Sequence, residues 1–508
     1  MLFFLIDSMG VMMGATASAA ESGVGVSQNL VDFVGARLPP SVMGHGSDLS
    51  PSSSLLTAFH TNGSLDTFLP RFDTQAGGPS LGAGGLGVGL PSQGGGPPGL
   101  RIIPLIGMTE RYDGNVFFAP KLPGLDRQDW VTTVSPRVFL QDNGRIIGST
   151  VYAGATGGYY AKNTGLSYIG YNAGGSLNVT GLLRRFVPEA SLYLTGAYTY
   201  TPLPPAFLDG GGQSNPGVGE EITSQLPTAD TYVRGIQSQR VNTTTYTAGM
   251  TGSIRYSPYL YFQGSYTYAV ASFGQPSVTQ RVTGYTPRFT TTATHSVNVG
   301  PVYKLSAYDS VNLNYQYSKS EFGSNQGGFQ SHQATLGYQR MLDASLAGRI
   351  YGGASVITKD AGGQQATTSA TSGQQIQYTG GASLTWARRF TQASILFSTG
   401  VSPNYIGTPG VVLSSNLSLR ATQQLDDNVY AYASINYGDN RAIGQQTGQA
   451  GTTFHSYNTS ESLSYRLSSS LVASVSHEWG LYTGTYTGQG GDKIIRNAVT
   501  VSLTKAWY

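Results

Sequence analysis

The stretch from Pro202 to Gly235 carries Asp209, Glu220, Glu221, Asp230 and Arg234. Carboxylates gathered on one connection act as a charge filter if that connection folds into an aqueous passage, and are merely solvated if it stays outside. A second set, Glu110, Arg111, Arg137, Arg349 and Arg420, lies inside regularly alternating segments. A charge there is costly on an apolar face, so these five are expected on a watered face or at its rims, tuning solute preference or pairing with one another. His295, His332, His455 and His477 stand at no metal-ligand spacing from another His or a carboxylate, and no Ser, His and acid group suggests a nucleophile. The string "GAGGLGVG" lacks the Lys-Ser/Thr and the helix that a phosphate loop requires. With no Cys in 508 residues, disulfides, thiolate metal sites and Cys nucleophiles are excluded. Neither an enzyme nor a cofactor or metal is expected.

The elements that must position these charges follow a period of two. In "VNLNYQYSKS", Val311, Leu313, Tyr315 and Tyr317 share one side of an extended chain, and Asn312, Asn314, Gln316 and Ser318 the other. The same alternation sets Leu192, Leu194, Tyr198 and Tyr200 against Ser191, Tyr193, Thr195 and Thr199, and Leu463, Tyr465 and Leu467 against Ser462, Ser464 and Arg466. A soluble sheet would carry Lys and Glu on its polar face. Here that face carries Asn, Gln, Ser, Thr and Gly, which suits a shared aqueous interior better than open solvent.

Composition agrees. Only 11% of the chain is charged, against about 25% in a typical soluble domain. The net charge of +3 gives no reason to expect nucleic acid as a partner. After the N-terminus no run of about 18 apolar residues occurs, so helical spans are not expected.

Turns supply the count. "RRFVPEA" at Arg184, "RYSPY" at Arg255, "KLSAYDS" at Lys304, "QRMLDAS" at Gln339, "RRFTQAS" at Arg388, "QQLDDN" at Gln423 and "YRLSSS" at Tyr465 are tight. "QDNGR" at Gln141 adds an Asn-Gly hairpin. Between them lie long Gly-rich connections at 202–236, 274–288, 358–371 and 439–451. Short turns alternating with long connections predict an all-β transmembrane antiparallel β-barrel of about 18 strands, range 16 to 18, with short periplasmic turns and long external loops. Its partners would be outer-membrane lipid and the barrel-assembly machinery, in a Gram-negative bacterium, with a homo-oligomer left open. In the last segment Val499, Val501, Leu503, Lys505 and Trp507 share a phase that leaves Tyr508 out.

Residues 1–20 resemble an export signal ending at Ala17-Ser18-Ala19, although Asp7 interrupts its apolar part. Residues 21–99 are Gly-, Pro- and Ser-rich and read as a flexible linker or as a plug that threads the barrel; the barrel would occupy 100–508.

At "IGMTERYDGNVFFAP" and "DWVTTVSPRVFL" the chain resembles an outer-membrane beta-barrel porin family found near exopolysaccharide and exosortase gene clusters. The matching residues are Asp113, Asn115, Val116, Phe117, Asp129, Ser135 and Pro136. The match covers about residues 100–145. Asp113 and Asn115 would bond the first long connection or bind a ligand. The resemblance implies a porin-like barrel and transit of surface polysaccharide. The residues themselves favour a channel for small polar solutes, in which scarce lumen charge lets neutral molecules pass. The alternative is a non-conducting barrel that displays its loops and an N-terminal arm for surface assembly.

Overall fold

The computed structural model describes residues 99–116, 126–142, 144, 146–201, 241–276, 291–323, 327–360, 374–404, 410–443, 453–468, 470–486 and 489–507. Within them lie eighteen strands. The first six are β1 (Leu100–Asp113), β2 (Asp129–Asp142), β3 (Gly148–Tyr160), β4 (Tyr168–Asn178), β5 (Ala190–Thr201) and β6 (Val241–Arg255). The next six are β7 (Leu260–Pro276), β8 (Thr292–Lys304), β9 (Asp309–Phe322), β10 (Gly328–Met341), β11 (Leu346–Asp360) and β12 (Gln375–Arg388). The last six are β13 (Thr391–Asn404), β14 (Gly410–Asp426), β15 (Val429–Ile443), β16 (Thr453–Ser468), β17 (Leu471–Tyr486) and β18 (Gln489–Ala506).

Each strand pairs antiparallel with the next in sequence, and β18 pairs with β1, Leu105 opposite Ala506 and Asp113 opposite Ala498. The result is a closed 18-stranded antiparallel β-barrel. Eight tight connections sit at one end, here the lower end, and coincide with the eight turns read from the sequence. β1 begins and β18 ends there too. The connection between β4 and β5 is the longest of the eight and holds one helical turn, Thr180–Leu183. At the upper end the strands run further than the sequence suggests: β7 continues to Pro276, β11 to Asp360 and β15 to Ile443. Residues 1–98, which include the expected signal and the Gly-rich segment, lie outside the described residues, as does Tyr508.

The two faces differ as the alternation requires. On β1, Ile102 is 58% and Met108 54% exposed, while Ile103 between them is 2% exposed. On β9, Leu313 and Tyr315 point outward, and Ser310, Asn312 and Ser320 are buried on the inner side. Outward tyrosines and tryptophans collect toward the strand ends. Tyr112 lies 5.3 Å from Trp130, and Tyr198 lies 5.1 Å from Tyr246, near the upper end; Trp507 and Tyr465 stand near the lower. Such girdles are where amphipathic rings sit between hydrocarbon and headgroups. Val499, Val501, Leu503 and Trp507 are all exposed, so the phase read for the last segment is the outward one.

Proline marks where the ladder loosens. Pro136 has no N–H to donate, and the register between β2 and β3 passes from Val134–Gly157 to Arg137–Gly154 without pairing Ser135 or Pro136.

Glycine does specific work at the inner wall of β3 and β4. A Cβ on Gly154 would lie 2.5 Å from Cγ of Arg137, and one on Gly174 would lie 2.8 Å from the Tyr152 hydroxyl and from the Gly196 carbonyl. The guanidinium stem and the phenol ring therefore lie flat across neighbouring strands, over positions where no side chain can stand. Gly174→Val is expected to lower unfolding stability by about 1–3 kcal/mol through overpacking, read from the urea midpoint of the detergent-solubilised barrel. An unchanged midpoint would mean that Tyr152 does not lie on Gly174.

Candidate functional site

Small hydroxyl side chains dominate the inner wall and bond across strands. Ser191 meets Ser253 at 2.6 Å, Ser331 meets Ser355 at 2.7 Å, and Thr294 meets Ser320 at 2.9 Å. Pairing these hydroxyls satisfies them without long side chains, so the tube is polar yet not crowded.

Against this neutral ground the inward charges stand out. By strand parity and register, Arg101, Arg111, Arg137, Arg349, Arg420, Arg466 and Arg496 face inward. Among the described residues the inward carboxylates are Asp113, Asp129 and Glu478. Arg349 lies with its guanidinium carbon 5.2 Å from the Tyr351 ring centroid. Arg137 stands next to Tyr152, on the register pairs Arg137–Gly154 and Phe139–Tyr152. β2 and β11 are half the ring apart, so the two Arg and Tyr pairs occupy opposite walls. Arg420 of β14 is exposed on the inner face between Ser394 and Ser434. Among the described residues, neither Arg349 nor Arg420 has a carboxylate within ion-pair distance.

The upper seam between β1 and β18 holds a compact polar knot. Nη2 of Arg111 donates to Oδ2 of Asp113 at 2.7 Å, and Nη2 of Arg496 donates to the same oxygen at 3.1 Å. The backbone N–H of Asn115 donates to the other carboxylate oxygen at 2.9 Å, and Nδ2 of Asn115 donates to the Ile495 carbonyl at 3.0 Å. Gly114 N–H donates to the Asn497 carbonyl at 2.8 Å. Asp113 and Asn115 thus bind β1 to β18 rather than presenting themselves to a ligand: they are 5% and 1% exposed.

Asp129 opposes Asp113 across the β1–β2 register and is satisfied by the backbone N–H groups of Trp130, Lys162 and Asn163 and by Nδ2 of Asn163. That bonding fixes the connection between β3 and β4. Outside the strands, Asp126 is held below the ordinary carboxylate range by the Lys162 ammonium and then by the N–H of Gln128. Ser135 faces inward and bonds Thr156 at 3.3 Å, and Pro136 faces outward. Phe117 lies outside the described residues.

Of the strand-borne charges singled out in the sequence, Arg111, Arg137, Arg349 and Arg420 lie on the inner face. Glu110 does not. It shares the outer phase with Met108 and Tyr112, and its carboxylate accepts from Thr132 Oγ1 at 2.7 Å. Its place one position below the Tyr112–Trp130 pair puts it in the girdle, where an outward carboxylate costs little. The placement corrects its expected inner position. Asp209, Glu220, Glu221, Asp230 and Arg234 lie outside the described residues. His295, His332, His455 and His477 all point outward, where Tyr266 bonds His295 at 2.9 Å, Tyr315 bonds His332 at 2.8 Å and Glu461 bonds His477 at 2.9 Å. Among the described residues no group of three or more His, Asp or Glu could hold a metal ion.

Sequence reasoning missed Arg496 and Arg466. Arg496 carried a usable signal: it shares its phase with Ser502 and Thr504, the polar side of the last segment.

No protein-family model matches the chain, and no curated protein matches it. Among solved structures, the barrel is similar to the outer membrane protein opdK from Pseudomonas aeruginosa, with 11% identity over 80% of this chain and 99% of that one, at a TM-score of 0.41. It is also similar to OccK3 (OpdO) from Pseudomonas aeruginosa, with 12% identity over 80% of this chain and 96% of that one, at a TM-score of 0.40.

Removing Asp113 leaves two neighbouring guanidiniums without their shared counter-charge. Asp113→Ala is expected to cost about 3–5 kcal/mol of unfolding stability, as for a buried pair broken on one side, and Asp113→Asn less, because the amide oxygen still accepts. Equal and negligible changes in the urea midpoint for both variants would remove the seam from any role in stability.

Proposed function

We propose that this chain is an outer-membrane channel for small polar solutes with a preference for anions. The observation that carries the reading is the division of one closed wall into two solvents' worth of side chains, apolar with aromatic girdles outside and hydroxyl-lined with excess guanidinium inside. A strand-built span with an apolar outer band and a polar interior is the pattern of bacterial outer-membrane barrels. A ring of this size leaves room for an aqueous passage.

The inward arginines bear on selectivity. Guanidiniums on opposite walls, outnumbering the inward carboxylates among the described residues, raise the local concentration of anions and disfavour cations. The expectation of a nearly uncharged lumen that passes neutral molecules is revised accordingly. Neutral sugars remain compatible with the Ser and Thr wall, which can exchange hydrogen bonds with them.

Reconstitution of the full chain in planar bilayers tests both parts. Discrete conductance steps are expected, with a reversal potential in a KCl gradient that has the sign of chloride preference. Combining Arg349→Gln with Arg420→Gln should lower the chloride-to-potassium permeability ratio by about two- to fivefold at low salt without abolishing conductance. An absence of steps would sink the channel reading, and cation preference in the unsubstituted protein would sink the anion assignment.

A further inference from the structure

The inner wall is not uniformly polar. On β1 to β3 the inward side chains Ile103, Leu105, Phe139 and Tyr152 form one apolar cluster, with Ala197 of β5 packed against it. None of the four is more than 7% exposed. An apolar cluster facing water gains nothing from that position, so its presence on an otherwise hydroxyl-lined wall calls for a cover.

The chain itself arrives beside it. Gly99 precedes the first residue of β1 and has φ +145°, with nothing within 4 Å of the place a Cβ would take. Glycine tolerates that conformation and other residues avoid it, which allows the incoming chain a sharp change of direction at the lower rim. Ahead of it stands "LGVGLPSQGGGPPG", beginning at Leu86. Leu86, Val88 and Leu90 alternate with Gly87 and Gly89, so an extended backbone puts three apolar side chains on one face and leaves the other face bare. Residues 91–98 are Pro, Gly, Ser and Gln, the composition of a reversal. No charged residue occurs between Asp73 and Arg101, so nothing in this stretch resists leaving bulk water.

We propose that residues 86–90 dock in extended form inside the barrel, with Leu86, Val88 and Leu90 against Ile103, Leu105 and Phe139. Nine residues reach at most about 30 Å, more than the roughly 20 Å that β1 travels from Gly99 to Leu105, so the reversal fits the connecting length. A tether this short holds the segment near the cluster at millimolar effective concentration, an advantage that no free solute or second copy shares. The bare glycine face then looks into the tube and narrows it little. The docking depends on the barrel fold and not on conduction.

The absence of cysteine from the natural chain makes the test direct. In the full chain, Val88→Cys is paired with Leu105→Cys, and Leu86→Cys with Phe139→Cys, and the folded protein is oxidised in detergent. Ser474→Cys with Ser502→Cys serves as reference, since those hydroxyls lie 2.5 Å apart. A disulfide in at least one docking pair is expected; none in either, with the reference pair linked, overturns the proposal. A second measurement avoids pairing altogether: the thiol of Leu105→Cys should react with a water-soluble reagent about tenfold faster once Leu86, Val88 and Leu90 are all changed to Asp, as for a docked state favoured about 10 to 1. An unchanged rate also overturns it. A chain that conducts but never links fails the docking alone, and one that links but never conducts fails the channel alone.

Discussion

A backbone amide left unpaired in hydrocarbon costs several kcal/mol, and a sheet with free edges leaves a whole row of them. Everything else in this protein follows from removing that edge. The ladder runs through all strands and returns from β18 to β1, over the register Leu105–Ala506 to Asp113–Ala498. Once the ring is closed, side chains alternate strictly between an outer and an inner solvent, and each residue's face is set by its parity alone. The rule is strong enough to place Glu110 outward among aromatic neighbours and Arg111 inward beside Asp113, although the two are adjacent in sequence.

Closure also explains where the polar knot sits. The seam joins the first and last strands, which meet only after every hairpin between them has formed, and it therefore gains least from local turns. Asp113 compensates with two guanidiniums, one from its own strand and one from β18, while Asn115 and Gly114 continue the bonding onto the backbone of β18. The same carboxylate that looks like a binding residue in the motif is thereby used up in holding the wall together.

Inside, the wall keeps its bore by choosing small or flattened side chains. Paired Ser and Thr hydroxyls consume little volume, and Arg137 and Tyr152 lie over glycines instead of reaching across. The two apolar departures from this pattern lie at different heights. One is the cluster on β1 to β3 near the chain's entry. The other, Phe322, Phe329, Ile357 and Val411, gathers the upper ends of β9 to β11 with β14, against Val401 and Ile443. Contact of β14 with the inner side of the β9 to β11 wall means that the β13–β14 hairpin leans toward the axis at the mouth.

Much of this was legible in the residues. Alternation of Val311, Leu313, Tyr315 and Tyr317 with Asn312, Asn314, Gln316 and Ser318 marks a strand between two solvents, and eight turn motifs fix the strand count, because both signals are local and a hairpin's geometry depends on a few adjacent residues. The DGN motif at Asp113 was equally visible as a conspicuous local pattern. What tertiary structure alone decided is which distant residues share a neighbourhood: Arg496 reaches Asp113 from the other end of the chain, and Arg349 stands across the ring from Arg137. Strand spacing and shear set those meetings, and neither is written in any short stretch, since a one-residue change in register would turn every inward side chain of a strand outward.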